Sequence, residues 1–292
     1  RFKMQKLVGG ILSMLLCCGS ITAAVPPVTT LNGTWELAYW PQPTKPLTTP
    51  EQVAAMTTKK IPAKVPGNVE LDLMAAGELP DLFVGNNIYR LRKYEGYQWS
   101  YTRNFEAPKL EAGQGVQLFF GGIDCFAEIW LNGKHIGSVD NMLIEQVLDV
   151  SNQLQPGSNR LQLIIRSAVM EVQQKLLGTF SIGNFPYEEA TYARKAPSGY
   201  GWDIMPRAVS AGLWRDVELR IVEPVHLKDV NWLVANIDTA RKTARIFTDV
   251  QLALPFEKLD QLRAKFTIKR KGKVVHEKTV PVLSFAMREI TE

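Results

Sequence analysis

The amino-acid sequence predicts an all-β protein built from two consecutive antiparallel β-sandwiches. Short strand-like runs recur along the chain, turn residues separate them, and long helical patterns are almost absent. A length of 292 residues suits one large domain or two modest ones. The content of 46% hydrophobic and 22% charged residues is near the average for soluble globular proteins.

The first predicted sandwich occupies residues 25–223. Residues 99–105 alternate apolar or long side chains with small polar ones, which is the two-residue period of a strand. Residues 66–77 carry a short helical pattern, and Asn132-Gly133 is a strong hairpin-turn signal because both residues accept positive φ. The predicted strands are Gly33–Trp40, Trp99–Phe105, Val116–Ile123, Phe126–Leu131, Lys134–Val139, Leu143–Val150, Asn159–Ser167 and Trp214–Val222.

Residues 224–292 are predicted to begin a second sandwich after the boundary at Glu223-Pro224. Its predicted strands are Val225–Val234, Ala244–Leu254, Ala264–Arg270 and Lys273–Val282. An immunoglobulin-like sandwich needs about seven strands and roughly 100 residues, so we expect this domain to be truncated and the chain to be a fragment.

Residues 1–24 have the pattern of an export signal. Basic residues precede the apolar run Leu7–Cys18, and small residues near Ala24 would permit cleavage before Val25. The apolar run is shorter than the roughly 20 residues of a membrane-spanning helix. We therefore expect a periplasmic or extracellular protein, with lipid attachment at Cys17 or Cys18 as the alternative.

Charge and side-chain chemistry exclude several classes of function. The net charge of +5 comes largely from the leader, and the basic cluster at residues 269–273 is interpreted as a hairpin turn, so nucleic acid is not an expected partner. Cys125 lies in an apolar run and is predicted to be a buried, inert thiol. The three histidines lack metal-ligand spacing, and we expect neither a metal nor a cofactor.

The stretch Arg194–Trp214 carries the strongest functional pattern. Glycines and prolines make it a loop, and the irregular region around it, from about Val169 to Gly212, is long enough to indicate a functional segment. It combines indole rings, a carboxylate and cations, which suit a sugar whose C–H face stacks on Trp and whose hydroxyls bond to Asp and Arg. The alternative is a buried Trp beside a structural ion pair.

Several phrases in order resemble the N-terminal half of glycoside hydrolase family 2, and most closely its β-mannosidase branch. The phrases are Leu31–Trp35 (LNGTW), Val65–Val69 (VPGNV), Ala76–Asp81 (AGELPD), Gly85–Asn87 (GNN), Trp99–Tyr101 (WSY), Phe119–Ala127 (FFGGIDCFA), Leu131–Gly137 (LNGKHIG), Arg194-Lys195 and Gly201–Asp203 (GWD). The resemblance implies a galactose-binding-like jelly roll, then an immunoglobulin-like domain, with a catalytic (β/α)₈ barrel after them.

The resemblance also implies a substrate-binding site. Trp202 and Asp203 would reach into the sugar pocket of the barrel and contact the non-reducing sugar, and Arg194-Lys195 belong to the same motif. Arg207 is a candidate to clamp the substrate, with a structural ion pair as an equal alternative. The sequence departs from the family pattern at Ile204, where a second Trp is frequent.

No residue of this chain is assigned as a catalytic acid or nucleophile. Retaining hydrolysis needs two carboxyl groups about 5–5.5 Å apart, and the family places both on a barrel of about 250 residues that is missing here. We expect the chain alone to be inactive. Asp124 is interpreted as ordering a turn, and Glu188-Glu189 as an exposed loop pair.

Two classes of function therefore stand at this point. The first is the N-terminal part of an exported, retaining exo-β-mannosidase in carbohydrate catabolism, with a glycan as substrate and the barrel as partner domain. The second is a non-catalytic carbohydrate-binding module or adhesin, since jelly rolls also serve as lectins. Glycan binding by residues 25–223 alone would favour the second.

Overall fold

The computed structural model describes residues 12–16, 27–173, 175, 188–254 and 260–282. The chain divides into two compact units, Pro27–Ile221 and a second one formed by Arg1–Pro26 with Val222–Glu292. Of the predicted export signal, only the backbone of Leu12–Leu16 is described, as a strand, and the rest lies outside the described residues. Part of the long irregular segment, residues 176–187, lies outside them too.

Strands dominate both units, as the sequence predicted. Their bounds are β1 Leu12–Leu16, β2 Val28–Thr30, β3 Gly33–Pro41, β4 Lys59–Val65, β5 Tyr97–Glu106, β6 Gly115–Phe120, β7 Ile123–Asp124, β8 Phe126–Leu131, β9 Lys134–Val139, β10 Gln146–Asp149, β11 Ser158–Arg166, β12 Gly212–Leu213, β13 Val217–Val222, β14 His226–Asp238, β15 Thr243–Ala253, β16 Arg263–Arg270 and β17 Lys273–Pro281.

Helices are short and connect strands of the first unit. The α-helices are α1 Pro50–Ala54, α2 Val69–Ala75 and α3 Ala168–Gln173, and 3₁₀-helices cover Asn87–Tyr94, Glu188–Thr191 and Pro197–Tyr200. Helix α2 confirms the predicted helical pattern. The Asn68 side chain accepts a hydrogen bond from Leu71 N and caps its start, and Val69 and Leu73 are buried.

The first unit is a β-sandwich. One sheet has six strands in the order β4-β3-β5-β11-β8-β9, and the other has four in the order β10-β6-β13-β2. The main apolar core takes its side chains from both sheets, including Leu37, Tyr101, Ile129 and Leu163 from the first and Val116, Leu118, Phe120 and Leu219 from the second. Burial of this apolar area is the main stabilising contribution. The all-β sandwich prediction is thus confirmed.

The Asn132-Gly133 turn joins β8 to β9, and both residues have positive φ, 52° and 77°. The Asn132 side chain also connects this turn to the segment that leads into β11. Its amide donates to Gln153 O at 3.1 Å and to Asn159 Oδ1 at 2.8 Å, and its Oδ1 accepts from Arg160 N at 2.9 Å. The predicted hairpin is confirmed, and its Asn supplies cross-links as well as backbone geometry.

The predicted strand Val116–Ile123 is wrong in its continuity. Strand β6 ends at Phe120, and Gly121-Gly122 separates it from the two-residue β7. A Cβ on Gly122 would lie 2.4 Å from Trp214 Nε1, so the indole packs directly on this break. The predicted strand Trp214–Val222 is also shorter than expected, because β13 begins at Val217.

The second unit contains the four predicted strands, with ends shifted by a few residues. Strands β14 and β15 form one hairpin, and β1, β16 and β17 form a three-stranded sheet. The basic cluster is a turn, as predicted, with positive φ at Lys271 and Gly272. Among the described residues of this unit, the buried apolar core consists of Leu262, Ala264 and Val282.

Candidate functional site

The predicted loop folds into a narrow hairpin-like projection, which we name the tip loop (residues 199–208). At its base Ala208 N donates to Gly199 O at 2.9 Å. At its end Trp202 N donates to Met205 O at 2.9 Å and Met205 N donates to Trp202 O at 3.1 Å. Asp203 and Ile204 therefore form the apex of a tight turn.

The apex faces solvent. Trp202 is 67% exposed and Ile204 is 89% exposed, and Asp203 is exposed beside them. Tyr200, two residues before Trp202, is fully buried. The backbone passes from one environment to the other at Gly201, whose φ of +109° suits glycine alone. An outward-facing indole and carboxylate are the pair that the sequence analysis selected, and the buried-Trp alternative does not describe them.

Arg207 lies at the base of the tip loop, and its side chain is only 10% exposed. Its Nε and Nη2 each donate to one carboxylate oxygen of Glu95 at 2.8 Å, which is a two-bond fork, and its Nη1 lies 2.6 Å from Glu189 Oε2. The guanidinium also stacks 5.4 Å from the centre of the Tyr200 ring. Burial by itself would lower the pKa of Arg207, but the hydrogen bonds to the two carboxylates raise it above its ordinary value.

Lys195 is buried on the other side of the loop base. Its ammonium forms an ion pair with Asp124 and donates to Ser210 O at 2.8 Å, so it ties together both arms of the segment. Ser210 Oγ in turn donates to Glu70 Oε2 at 2.7 Å. Burial raises the pKa of Asp124 against the opposing effect of Lys195, and burial raises the pKa of Glu70 against the Ser210 hydrogen bond.

A cavity of about 260 Å³ lies next to this buried network. Its lining combines the ionisable and hydroxyl groups of the network with apolar side chains, among them Met142, Met205, Pro206 and Trp214. Arg194 lies apart from it at the surface, where its Nη1 is 2.9 Å from both carboxylate oxygens of Asp140.

The structure thus separates the five predicted site residues into three places. Trp202 and Asp203 lie at the exposed apex, Lys195 and Arg207 form buried or nearly buried ion pairs beneath it, and Arg194 is in an exposed ion pair. In place of the roles that the sequence suggested, Asp124 pairs with Lys195 and Glu189 with Arg207. Local sequence could not predict the pair of Asp124 and Lys195, because 71 positions separate the two residues and only the fold brings them together.

The structure also describes the environment of Cys125, the distribution of possible metal ligands and the lengths of the helices. Cys125 is buried, as predicted, and burial raises the pKa of its thiol to about 12, which disfavours the reactive thiolate. Within the described ranges no three side chains of His, Cys, Asp or Glu are grouped as a metal site would require. Among the described helices none has both the length and the apolar character needed to cross a bilayer.

Relatives of known name match most of the chain. The β-mannosidase B of Aspergillus flavus is 30% identical over 217 residues, which cover 72% of this chain and 25% of that protein. The β-mannosidase of Rattus norvegicus is 28% identical over 233 residues, covering 76% of this chain and again 25% of the relative. The chain therefore spans about a quarter of the length of these relatives.

Solved structures with the same fold align with a larger share of this chain than the sequence relatives do. A β-D-mannosidase from Dictyoglomus thermophilum aligns with a TM-score of 0.66 and 27% identity, over 87% of this chain and 29% of that one. A β-glucuronidase from Bifidobacterium dentium aligns with a TM-score of 0.57 and 21% identity, over 88% of this chain and 40% of that one, and shows the fold alone.

The family assignment rests on the part of the chain that holds the sandwich and the tip loop. The family described as glycosyl hydrolase 2 galactose-binding domain-like matches residues 49–215, which is more than half of the chain. The chain belongs to this family of glycoside hydrolase domains.

Proposed function

We propose that this chain is the N-terminal part of a retaining exo-β-mannosidase and that its tip loop contributes to the substrate site. The observation that carries the proposal is the apex of the tip loop, where Trp202 and Asp203 face outward on an anchored turn. The β-mannosidases among the matched relatives support the choice of sugar.

The chemistry of the apex suits the end of a glycan chain. The flat indole of Trp202 offers an apolar face to the C–H face of a pyranose, while Asp203 accepts hydrogen bonds from two hydroxyls. Each hydrogen bond to a charged group contributes about 1.5–3 kcal/mol net. Because one residue binds the ring face and its neighbour binds the hydroxyls, the pair selects for the orientation of the sugar.

In this proposal the bond is broken elsewhere. One carboxylic acid protonates the glycosidic oxygen, a second carboxylate attacks the anomeric carbon, and water then releases the sugar from the covalent intermediate. Asp124 and Glu189 are unsuited to these roles because each is paired with a cation beneath the tip loop. We place the catalytic pair on a barrel domain that follows the sandwiches in the complete protein.

The test is hydrolysis of an aryl β-mannoside by the complete gene product, with Asp203→Ala as the decisive variant. We expect kcat/KM to fall about a hundredfold, because a charged hydrogen-bond pair to the sugar is lost. Glu111→Ala removes an exposed carboxylate from a remote loop and serves as the control, with unchanged kcat/KM. Wild-type activity in Asp203→Ala would remove the apex from the substrate site.

A non-catalytic carbohydrate-binding module, the alternative function, would give different results with the same protein and the same variant. A non-catalytic module would bind β-mannan oligosaccharides without releasing reducing sugar, and Asp203→Ala would weaken binding only. Release of mannose by the complete protein, with no measurable binding by residues 25–223 alone, would reject the module.

We also propose export, on the leader-like sequence at residues 1–24. The expected mature N-terminus is Val25. Mass spectrometry of the protein recovered from the periplasm or the medium tests this directly. Recovery of a cytoplasmic protein that retains its leader would contradict export.

A further inference from the structure

We propose that Arg207 is a positioning residue, which holds the tip loop so that Asp203 and Trp202 meet the sugar, and that it does not touch the sugar itself. The proposal deepens the proposed function and rests on it for the role of Asp203. It also decides between the two interpretations of Arg207 that the sequence left open, substrate clamp and structural ion pair.

The guanidinium of Arg207 already has carboxylate partners. All three nitrogens of Arg207 face carboxylates, two of them in the fork with Glu95 and the third toward Glu189, and one face covers the Tyr200 ring. The side chain is only 10% exposed. A sugar hydroxyl would have to displace a carboxylate, and a guanidinium binds a charged carboxylate more strongly than it binds a neutral hydroxyl.

The apex makes few interactions of its own that would keep it in one conformation. Its described backbone hydrogen bonds are those between Trp202 and Met205, and its side chains point into solvent. A two-stranded hairpin with exposed side chains is marginal in water. The order of the apex must therefore come from the residues at its base.

Arg207 lies at one end of the segment that carries the apex. Tyr200 and Arg207 bound the six residues that carry the apex, and the contact between guanidinium and ring closes that segment. Pro206, whose φ is fixed by its ring, connects Arg207 to the turn. The distant anchors Glu95 and Glu189 then fix the closed segment to the sandwich.

The charge balance indicates what a substitution does. One guanidinium neutralises two partly buried carboxylates, so Arg207→Met leaves two like charges without their cation, which is costly. Arg207→Lys keeps the charge but lacks the planar fork, and it retains a single-point contact at most. We expect both variants to loosen the loop, Met more than Lys.

Amide hydrogen exchange on this chain tests the positioning role without a substrate. In Arg207→Met, the amides of Trp202, Met205 and Ala208 should exchange at least about tenfold faster, while strand β11 keeps its wild-type rates. Arg92→Met, which removes an exposed arginine of the same unit, is the matched control and should change neither. Wild-type exchange at the three amides in Arg207→Met would overturn the proposal.

The lysine variant keeps the test decisive if Arg207→Met does not fold. We expect Arg207→Lys to fold and to show the same faster exchange, confined to the tip loop, because the fork with Glu95 is lost. Tip-loop rates equal to those of the wild type in Arg207→Lys would contradict a role for the fork.

A mutant cycle in the complete protein separates positioning from contact. Arg207→Met should lower kcat/KM by about ten- to a hundredfold, as small misplacements of a binding group do. In a protein that carries both Trp202→Ala and Asp203→Ala, Arg207→Met should add almost nothing, since Arg207 acts through these two side chains. Additive losses would identify Arg207 as an independent sugar contact and overturn the proposal.

The failure of the proposed function gives a different result. If Asp203→Ala leaves kcat/KM unchanged, the apex is not a sugar site, and the proposed function fails. The exchange experiment still judges whether Arg207 orders the tip loop. The two outcomes are therefore distinguishable.

Discussion

Burial raises the pKa of three carboxyl groups in the first unit, and each has a different partner. Glu70 accepts from Ser210, Asp124 pairs with Lys195, and Asp72 accepts a hydrogen bond from Lys64 N at 2.8 Å. For Asp72 the effect of burial outweighs this bond and raises the pKa to about 6. Asp72 therefore links the stability of the sandwich to pH in the mildly acidic range.

Asp72→Asn should remove part of this pH dependence. The folded state holds the Asp72 proton up to about pH 6, whereas the unfolded chain releases it near pH 3.9. Its contribution to stability is therefore full below about pH 4 and is lost as the pH rises through 6. The variant should gain about 1 kcal/mol over the wild type at pH 7, after discounting for solvent screening, and nothing at pH 4.

Urea unfolding of both proteins at the two pH values measures this difference. The amide of asparagine can still accept the bond from Lys64 N, so the comparison isolates the ionisation of Asp72. An equal difference in unfolding free energy at pH 4 and pH 7 would contradict the raised pKa.

At the scale of the element, the break between β6 and β7 is a packing feature. Gly121 and Gly122 have no side chains, so Arg215 packs against the first and the Trp214 indole against the second. The indole also donates from Nε1 to Met142 O at 3.3 Å. The same indole lines the cavity beside the tip loop. The glycine pair between two strands thus leaves room for an aromatic side chain that lines the candidate site.

Gly122→Ala should destabilise the first unit by about 1–3 kcal/mol, because the added methyl group would lie 2.4 Å from the indole nitrogen and force Trp214 to move. Gly96→Ala is the matched control, since its nearest new contact would be Met170 Sδ at 3.7 Å, and it should change stability by less than about 0.5 kcal/mol. Thermal unfolding of the two variants provides the measurement. Equal melting temperatures would contradict the close packing.

Alternation and turn chemistry predicted most strands, and the exceptions have physical causes. Lys59–Val65 was not predicted as a strand, although Ile61, Ala63 and Val65 alternate as buried residues. It is the edge strand of its sheet, where Pro62 is tolerated and lysines alternate on the outer face. A strand rule that admits proline at an edge would have found it.

The candidate site could be predicted in part. The loop character and the residues at its apex followed from the sequence, because glycine, proline and the GWD phrase are local signals. The partners of Arg207 could not be predicted, since 112 positions separate it from Glu95 and nothing local connects them. Tertiary structure decides which of the cationic side chains are exposed and which are paired in the interior.

At the scale of the whole molecule, the two units differ in how completely their apolar residues are covered. The first unit has a large core, whereas the core of the described part of the second contains three buried apolar residues. Along β14 several large apolar side chains are exposed, namely Trp232, Leu233, Val234 and Ile237. An exposed apolar hairpin is an expected site of self-association.

Leu233→Lys should therefore reduce self-association of this chain. We expect its apparent association constant, measured by light scattering against concentration, to fall at least about tenfold. Leu71→Lys, which changes an exposed leucine of the first unit, is the control and should leave association unchanged. An equal effect of both substitutions would indicate a general charge effect rather than pairing through β14.

The Asn132-Gly133 turn also bears on the chemical ageing of the protein. An asparagine before glycine deamidates when the glycine nitrogen attacks the side-chain carbonyl carbon and expels ammonia through a cyclic imide. Here the side-chain amide is fastened to Gln153, Asn159 and Arg160, so its carbon cannot swing toward that nitrogen. Asn132 should persist in the native protein during storage and convert to aspartate and isoaspartate once the turn opens, which makes isoaspartate at this position a record of past unfolding.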